Sequence, residues 1–192
     1  MKPLIVGLSL LLAAAASGQE FKLGSKVGDF TVNDLTGKPV QFSTLRGETT
    51  VVMFVATKCP ISNGYNERMD ALYKDYSARG VKFVFINANS TEPAQEVEEH
   101  RKAHSLSFPV YKDPGNKVAD QFGATVTPEA FVITKDGTIQ YHGYIDDSLN
   151  VARIQNQGLR KALDSVMAHQ APPVAETKAF GCTIKRVKKP TT

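Results

Sequence analysis

Cys59 stands in the run FVATKCPIS at 54–62, where a nearly continuous apolar stretch gives way to a helical stripe. A thiol at such a junction faces helix N–H groups that have no intrahelical partner, and the positive end of the helix dipole. Both favour the thiolate. Pro60 suits the first helical position because its missing N–H would be unpartnered there anyway. Lys58 adds a neighbouring cation. Thiolate is the attacking species in disulfide exchange and in peroxide reduction, so the pattern points to thiol redox chemistry. Ser62 places a hydroxyl one helical turn from the sulfur, where it could donate a hydrogen bond to the thiolate. The chain has one other cysteine, Cys182, next to Gly181 and close to Lys185 and Arg186. Two cysteines are too few for a disulfide framework or an all-cysteine metal site.

The elements around Cys59 read as an α/β unit. Residues 49–56 (TTVVMFVA) and 81–88 (VKFVFINA) are short apolar runs of the kind expected of strands buried on both faces. Between them Tyr65, Met69, Leu72, Tyr73 and Tyr76 form one helical stripe, with Gly80 as a C-terminal stop. Strand, helix and buried strand in succession make a parallel crossover. Phe30 to Leu45 reads as a hairpin around Thr36-Gly37-Lys38-Pro39, and residues 130–134 and 138–144 flank a second turn at Lys135-Asp136-Gly137. A polar helix is expected from about Glu92 to His104, capped by Ser90 or Thr91. A short strand at Phe108 to Tyr111 and a short helix at Asn116 to Phe122 follow. A last helix is capped by Ser148, with Asp146 and Asp147 opening it. The order predicts a sheet with a parallel centre and an antiparallel edge.

Charge and targeting bear on the function class. Lys2, an apolar run from Leu4 to Ala16, and Ala16-Ser17-Gly18 read as a secretory signal over residues 1–18, cut before Gln19. The run is too short to span a hydrocarbon layer of about 30 Å, and no later segment reaches the length of a membrane span. The expectation is an exported chain in a periplasmic or extracellular space where disulfides form. The formal charge of +4 is not spread over the molecule. Residues 171–192 carry Lys178, Lys185, Arg186, Lys188 and Lys189 against Glu176, while residues 19–170 are close to neutral. Confinement of the net positive charge to a tail argues against a nucleic-acid surface.

These residues resemble the thioredoxin-like redoxin superfamily (AhpC/TSA and redoxin). The resemblance runs from about Val27 to Leu163, through Gly28-Asp29-Phe30, Thr36-Gly37-Lys38-Pro39, FVATKCPIS and VTPEAFVITKDGTI at 126–139. In character the chain is nearest to exported thiol–disulfide oxidoreductases of the TlpA/ResA type. The resemblance implies a thioredoxin fold over residues 19–170, with a central mixed sheet, helices on both faces and an N-terminal hairpin. It implies that Cys59 is the nucleophile, and that Thr127-Pro128, which alone reads as an ordinary trans strand entry, is a cis-proline site where substrate backbone pairs. No cofactor is implied; the partners are an external thiol reductant or a disulfide-containing protein.

The chain departs from the family in two places. The fourth position of Cys-x-x-Cys is Ser62, and the peroxidase motif Pro-x-x-x-Thr-x-x-Cys has Val52 and Ala56 at its Pro and Thr positions. Local dithiol exchange is therefore closed. Cys182, 123 positions along, is either a resolving thiol for Cys59, a half of a permanent disulfide, or a free or interchain thiol on a basic tail. The alternative function is a non-catalytic module that binds a partner or copper through Cys59, although Asn63 occupies the position where a Cys-x-x-x-Cys copper motif needs its second cysteine. His100 and His104, with Glu96 nearby, have a spacing common on charged helices and are not expected to bind metal. His142 is expected to pack or meet solvent near a sheet edge.

Overall fold

The computed structural model describes residues 21–188; the signal expected at 1–18 lies outside them, as does Lys189. The elements in chain order are β1 (Thr31–Asn33), β2 (Pro39–Gln41), α1 (Phe42–Leu45), β3 (Thr49–Phe54), α2 (Pro60–Gly64), α3 (Asn66–Ala78), β4 (Lys82–Asn87), α4 (Ala94–Ala103) and β5 (Val110–Lys112). Then come α5 (Lys117–Gln121), β6 (Val126–Thr127), β7 (Glu129–Thr134), β8 (Ile139–Gly143), α6 (Gly158–Met167) and β9 (Cys182–Thr183). Seven strands form one sheet in the order β2-β1-β5-β4-β3-β7-β8. β3, β4 and β5 run parallel, and β7, β8, β1 and β2 pair antiparallel on the flanks. This is the thioredoxin-like arrangement, with helices on both faces.

Strand alternation divides the core between the faces. Val51, Met53, Phe83, Phe85, Ala130 and Val132 join the cluster beneath α3, α4 and α6. Their neighbours Val52, Phe54, Val84, Ile86, Phe131 and Ile133 join a second cluster with Phe42 and with Val118, Ala119 and Phe122. A period of two along strands covered on both sides explains why these runs are apolar at nearly every position. The stripe on α3 faces the first cluster through Met69, Leu72 and Tyr76, and Gly80 closes the helix with φ +91°.

Three boundaries differ from expectation. α4 begins at Ala94 after Pro93, and neither Ser90 nor Thr91 caps it, because Glu92 is turned inward and is 2% exposed. The strand run from Phe30 stops at Gln41 and Phe42 opens a short helix, its N–H donating to Phe30 O. The last helix starts at Gly158, not at Ser148; a short 3-10 turn at Val151–Arg153 precedes it. Asp146 does not open a helix. Its carboxylate accepts from Arg68 Nη1 at 2.7 Å and from the Tyr65 hydroxyl at 2.8 Å. Arg68 also donates to Ser148 O and Leu149 O, which holds 148–149 as a loop against α3.

Beyond Ala171 the chain turns back over the sheet. The Thr177 N–H donates to His142 O and the His142 N–H to Ala175 O, along the β8 edge. The segment then crosses to pair β9 with β6. The Asp146 cluster fixes the connection from β8 to α6. Asp146→Ala would leave Arg68 and the Tyr65 hydroxyl short of an acceptor, at a cost of about 2–3 kcal/mol. Urea titration should show that loss, with Asp146→Asn, which keeps one acceptor, falling between the two.

Candidate active site

Cys59 is placed where two loops meet at the C-terminal end of β3, the usual position of a site in a sheet with parallel strands. It is the N-cap of α2: its Sγ accepts from the Ser62 N–H at 3.2 Å, and Pro60 occupies the first helical position. The sulfur is 3.5 Å from Thr127 O, and Cys59 is 3% exposed. The Thr127–Pro128 peptide bond is cis. Cys59 and Cys182 are joined in a disulfide with their Cα atoms 5.7 Å apart. Thus Cys59, Cys182, Thr127 and Pro128 converge. Ser62 differs from expectation in one respect. Its hydroxyl oxygen accepts from the Ala56 N–H at 3.1 Å, and it is the Ser62 backbone N–H that reaches Cys59.

Two buried carboxylates hold the loops that meet at the sulfur. Glu92 accepts from the Thr57 N–H at 2.8 Å and the Lys58 N–H at 3.1 Å, immediately before Cys59, and from the side-chain amides of Asn87 and Asn89. Burial opposes its ionisation, but the Thr57 N–H, the Asn87 amide and the Lys58 N–H outweigh that and hold its carboxyl below the ordinary 4.5. Glu129, which follows Pro128, accepts from the Thr125 and Val126 N–H groups at 2.8 and 3.2 Å. Its other oxygen lies 2.6 Å from His142 Nε2, and the His142 ring stacks on Phe131 with centroids 4.3 Å apart. His142 therefore packs as expected, with the added contact to Glu129. Lys112 donates to Asn87 Oδ1, Asn89 O and Glu92 O, and burial pushes its pKa down to about 8 against the pull of Glu92 and Asp113.

Glu92, Asn89 and Glu129 were not singled out from sequence. The one available signal was Asn87 at the end of an apolar strand with Asn89 just beyond it, where buried amides need partners. The remaining candidates make other contacts. Glu96 pairs with Lys58 at 2.8 Å, and His100 meets Asn66 Nδ2 at 3.3 Å, its pKa lowered first by burial and then by His104. Among the described residues no group of three or more His, Cys, Asp or Glu is placed to hold a metal ion. No helix among them is long and apolar enough to cross a membrane.

Glu92→Gln removes an acceptor from the Thr57–Lys58 loop, at a cost of about 2 kcal/mol near neutral pH. A carboxyl depressed in the folded state stabilises above its unfolded pKa, and that contribution is lost as pH falls through the folded value. Urea titrations from pH 7 downward should therefore show the gap between wild type and Glu92→Gln closing below about pH 4.5.

Residues 23–142 match the AhpC/TSA family. A relative named thiol-disulfide oxidoreductase ResA, from Bacillus cereus, is 31% identical over 134 residues, covering 70% of this chain and 76% of the relative. A hypothetical protein from Sinorhizobium meliloti 1021 superposes with a TM-score of 0.80 at 26% identity, over 89% of this chain and 98% of that one. Peroxidoxin BcpB from Mycobacterium tuberculosis superposes with a TM-score of 0.55 at 26% identity, over 63% of this chain and 84% of that one. With a cysteine at the head of α2, a cis-proline opposite it and this match over most of its length, the chain belongs to the AhpC/TSA family of thioredoxin-fold redox proteins.

Proposed function

We propose that the chain is an exported thiol–disulfide oxidoreductase in which Cys59 attacks and Cys182 resolves. The observation that carries this reading is the Cys59–Cys182 disulfide, with Cys59 as an N-cap receiving the Ser62 N–H. In the reduced chain that N–H favours the Cys59 thiolate. The thiolate attacks one sulfur of a substrate disulfide; the S–S bond breaks, a mixed disulfide with Cys59 forms, and the other substrate cysteine leaves as thiolate. The Cys182 thiolate then attacks Cys59 Sγ and expels the second substrate thiolate. The substrate gains two electrons and two protons, and Cys59 and Cys182 lose them. An external thiol reductant restores the pair.

A disulfide is favoured over a peroxide as substrate. At the two upstream positions of the peroxidase motif stand Val52 and Ala56, both buried and neither with a side-chain donor for a peroxide oxygen. The relatives named ResA carry the same preference in their name. Export rests on the sequence of residues 1–18, and mass spectrometry of secreted material should then find a mature chain starting at Gln19.

In a dithiothreitol-coupled assay of insulin reduction, Cys59→Ser should fall to the uncatalysed rate. Cys182→Ser should accumulate a mixed disulfide on Cys59, visible in the intact mass as the added partner. Full turnover by Cys59→Ser would overturn the reading. Hydrogen peroxide consumption by the wild type should stay near the rate of a free thiol.

A further inference from the structure

Cys182 is bracketed by two stretches of tail that grip the body through contacts other than the disulfide. Upstream, Thr177 Oγ1 lies 2.8 Å from the Tyr141 hydroxyl and accepts from the Tyr144 N–H at 3.1 Å. The tail passes so close there that a Cβ on Gly143 would sit 1.9 Å from Thr177 Oγ1. Downstream, Asn89 Oδ1 accepts from the Lys185 N–H and Asn116 Oδ1 from the Val187 N–H, each at 2.7 Å. Lys185 O accepts from the Ser90 N–H at 2.9 Å, and Arg186 O from the Ser90 hydroxyl at 3.1 Å. Ile184, just before this stretch, is buried in the second core cluster.

The two asparagines are themselves fixed by the body. Asn89 donates to Glu92 at 3.0 Å, and its backbone carbonyl accepts from Lys112 Nζ at 3.0 Å. Asn116 donates to Ala88 O and holds a φ of +60°. Both are buried, and each turns its amide oxygen toward the tail. Lifting the tail takes the backbone donor away from a buried acceptor, which costs more than the loss of an exposed bond. That balance does not involve the sulfur–sulfur bond.

We propose that Asn89 and Asn116 are positioning residues that keep the tail docked while the bond between Cys59 and Cys182 is open. The proposal rests on Cys59 attacking and Cys182 resolving, and adds what governs both steps. Cys59 is buried under the docked tail, so a substrate disulfide meets its thiolate only in the fraction of molecules whose tail has lifted. Once the mixed disulfide exists, re-docking brings the Cys182 thiolate to Cys59 Sγ. The Cys59–Cys182 bond forms, the bond from Cys59 to the substrate sulfur breaks, and the substrate leaves as thiolate. The clamp gives Cys182 a high effective concentration in that step, so it slows entry and speeds resolution.

Two changes open the same hydrogen bond from opposite sides. Val187→Pro removes the N–H and leaves every residue of the body in place. Asn116→Gly removes the acceptor and keeps a residue at ease with positive φ. In the reduced full chain, hydrogen exchange should find the Lys185 and Val187 amides at least about tenfold slower than in an unstructured peptide. In reduced Cys182→Ser protein, adding either change should let iodoacetamide alkylate Cys59 about tenfold faster. The pH midpoint of that reaction should not move, because the Ser62 N–H is untouched. With both cysteines present, either change should shift the glutathione equilibrium about tenfold toward the dithiol. The two changes together should do no more than Asn116→Gly alone. Tail amides that exchange at the peptide rate after reduction, or alkylation and equilibrium that neither change moves, or a displaced pH midpoint, would overturn the clamp and leave Cys59 as the attacking thiol. Failure of Cys59 to react with the symmetric nitrobenzoate disulfide, even with Val187→Pro added to Cys182→Ser, would instead overturn the thiol reading itself.

Discussion

The buried carboxylate of Glu92 is the interaction on which the site depends. It accepts from the two N–H groups that precede Cys59 and from an amide at the end of β4. Through Asn89 it also reaches the tail, because that side chain donates to Glu92 and accepts from the Lys185 N–H. A loop between a buried strand and a helix exposes N–H groups that no ladder satisfies, and a carboxylate beneath them settles that need at one point. Glu92 must remain in the interior to do so, which is why α4 starts only at Ala94.

Glu129 does the corresponding work on the facing loop. It ties the Thr125 and Val126 N–H groups inward and leaves the opposite edge of the loop free to pair with β9. The Cys59 loop and the Thr127 loop are thus each fixed from below, and the sulfur sits between them. Pro128, having no N–H, ends the β6 pairing. What results is a short open edge beside a thiol, which the tail fills with Gly181, Cys182 and Thr183.

Much of the scaffold was legible in the sequence. The nearly continuous apolar runs at 49–56 and 81–88 and the stripe on α3 declared the central parallel unit, because burial on both sheet faces leaves few polar positions. The Cys-Pro junction declared the helix start and the thiol. The failures share a cause: they concern polar residues whose partners are remote in the chain. Asp146 reads as a helix opener until Arg68, 78 positions away, is brought to it. Ser90 and Thr91 read as caps until Glu92 is drawn in to meet the loop before Cys59.

By itself the sequence determined the α/β order of the elements, the seat of Cys59 beside Pro60 at a helix start, and the absence of a local second thiol at Ser62. Those follow from periodicity and from the chemistry of a helix terminus, both local properties. Only the tertiary structure decided that Cys182 is the partner of Cys59, and that its tail lies on the loop before Pro128. A 123-residue separation leaves no trace in local pattern. The pairing is set by the unsatisfied strand edge at Val126 and Thr127, which exists only once the sheet has formed.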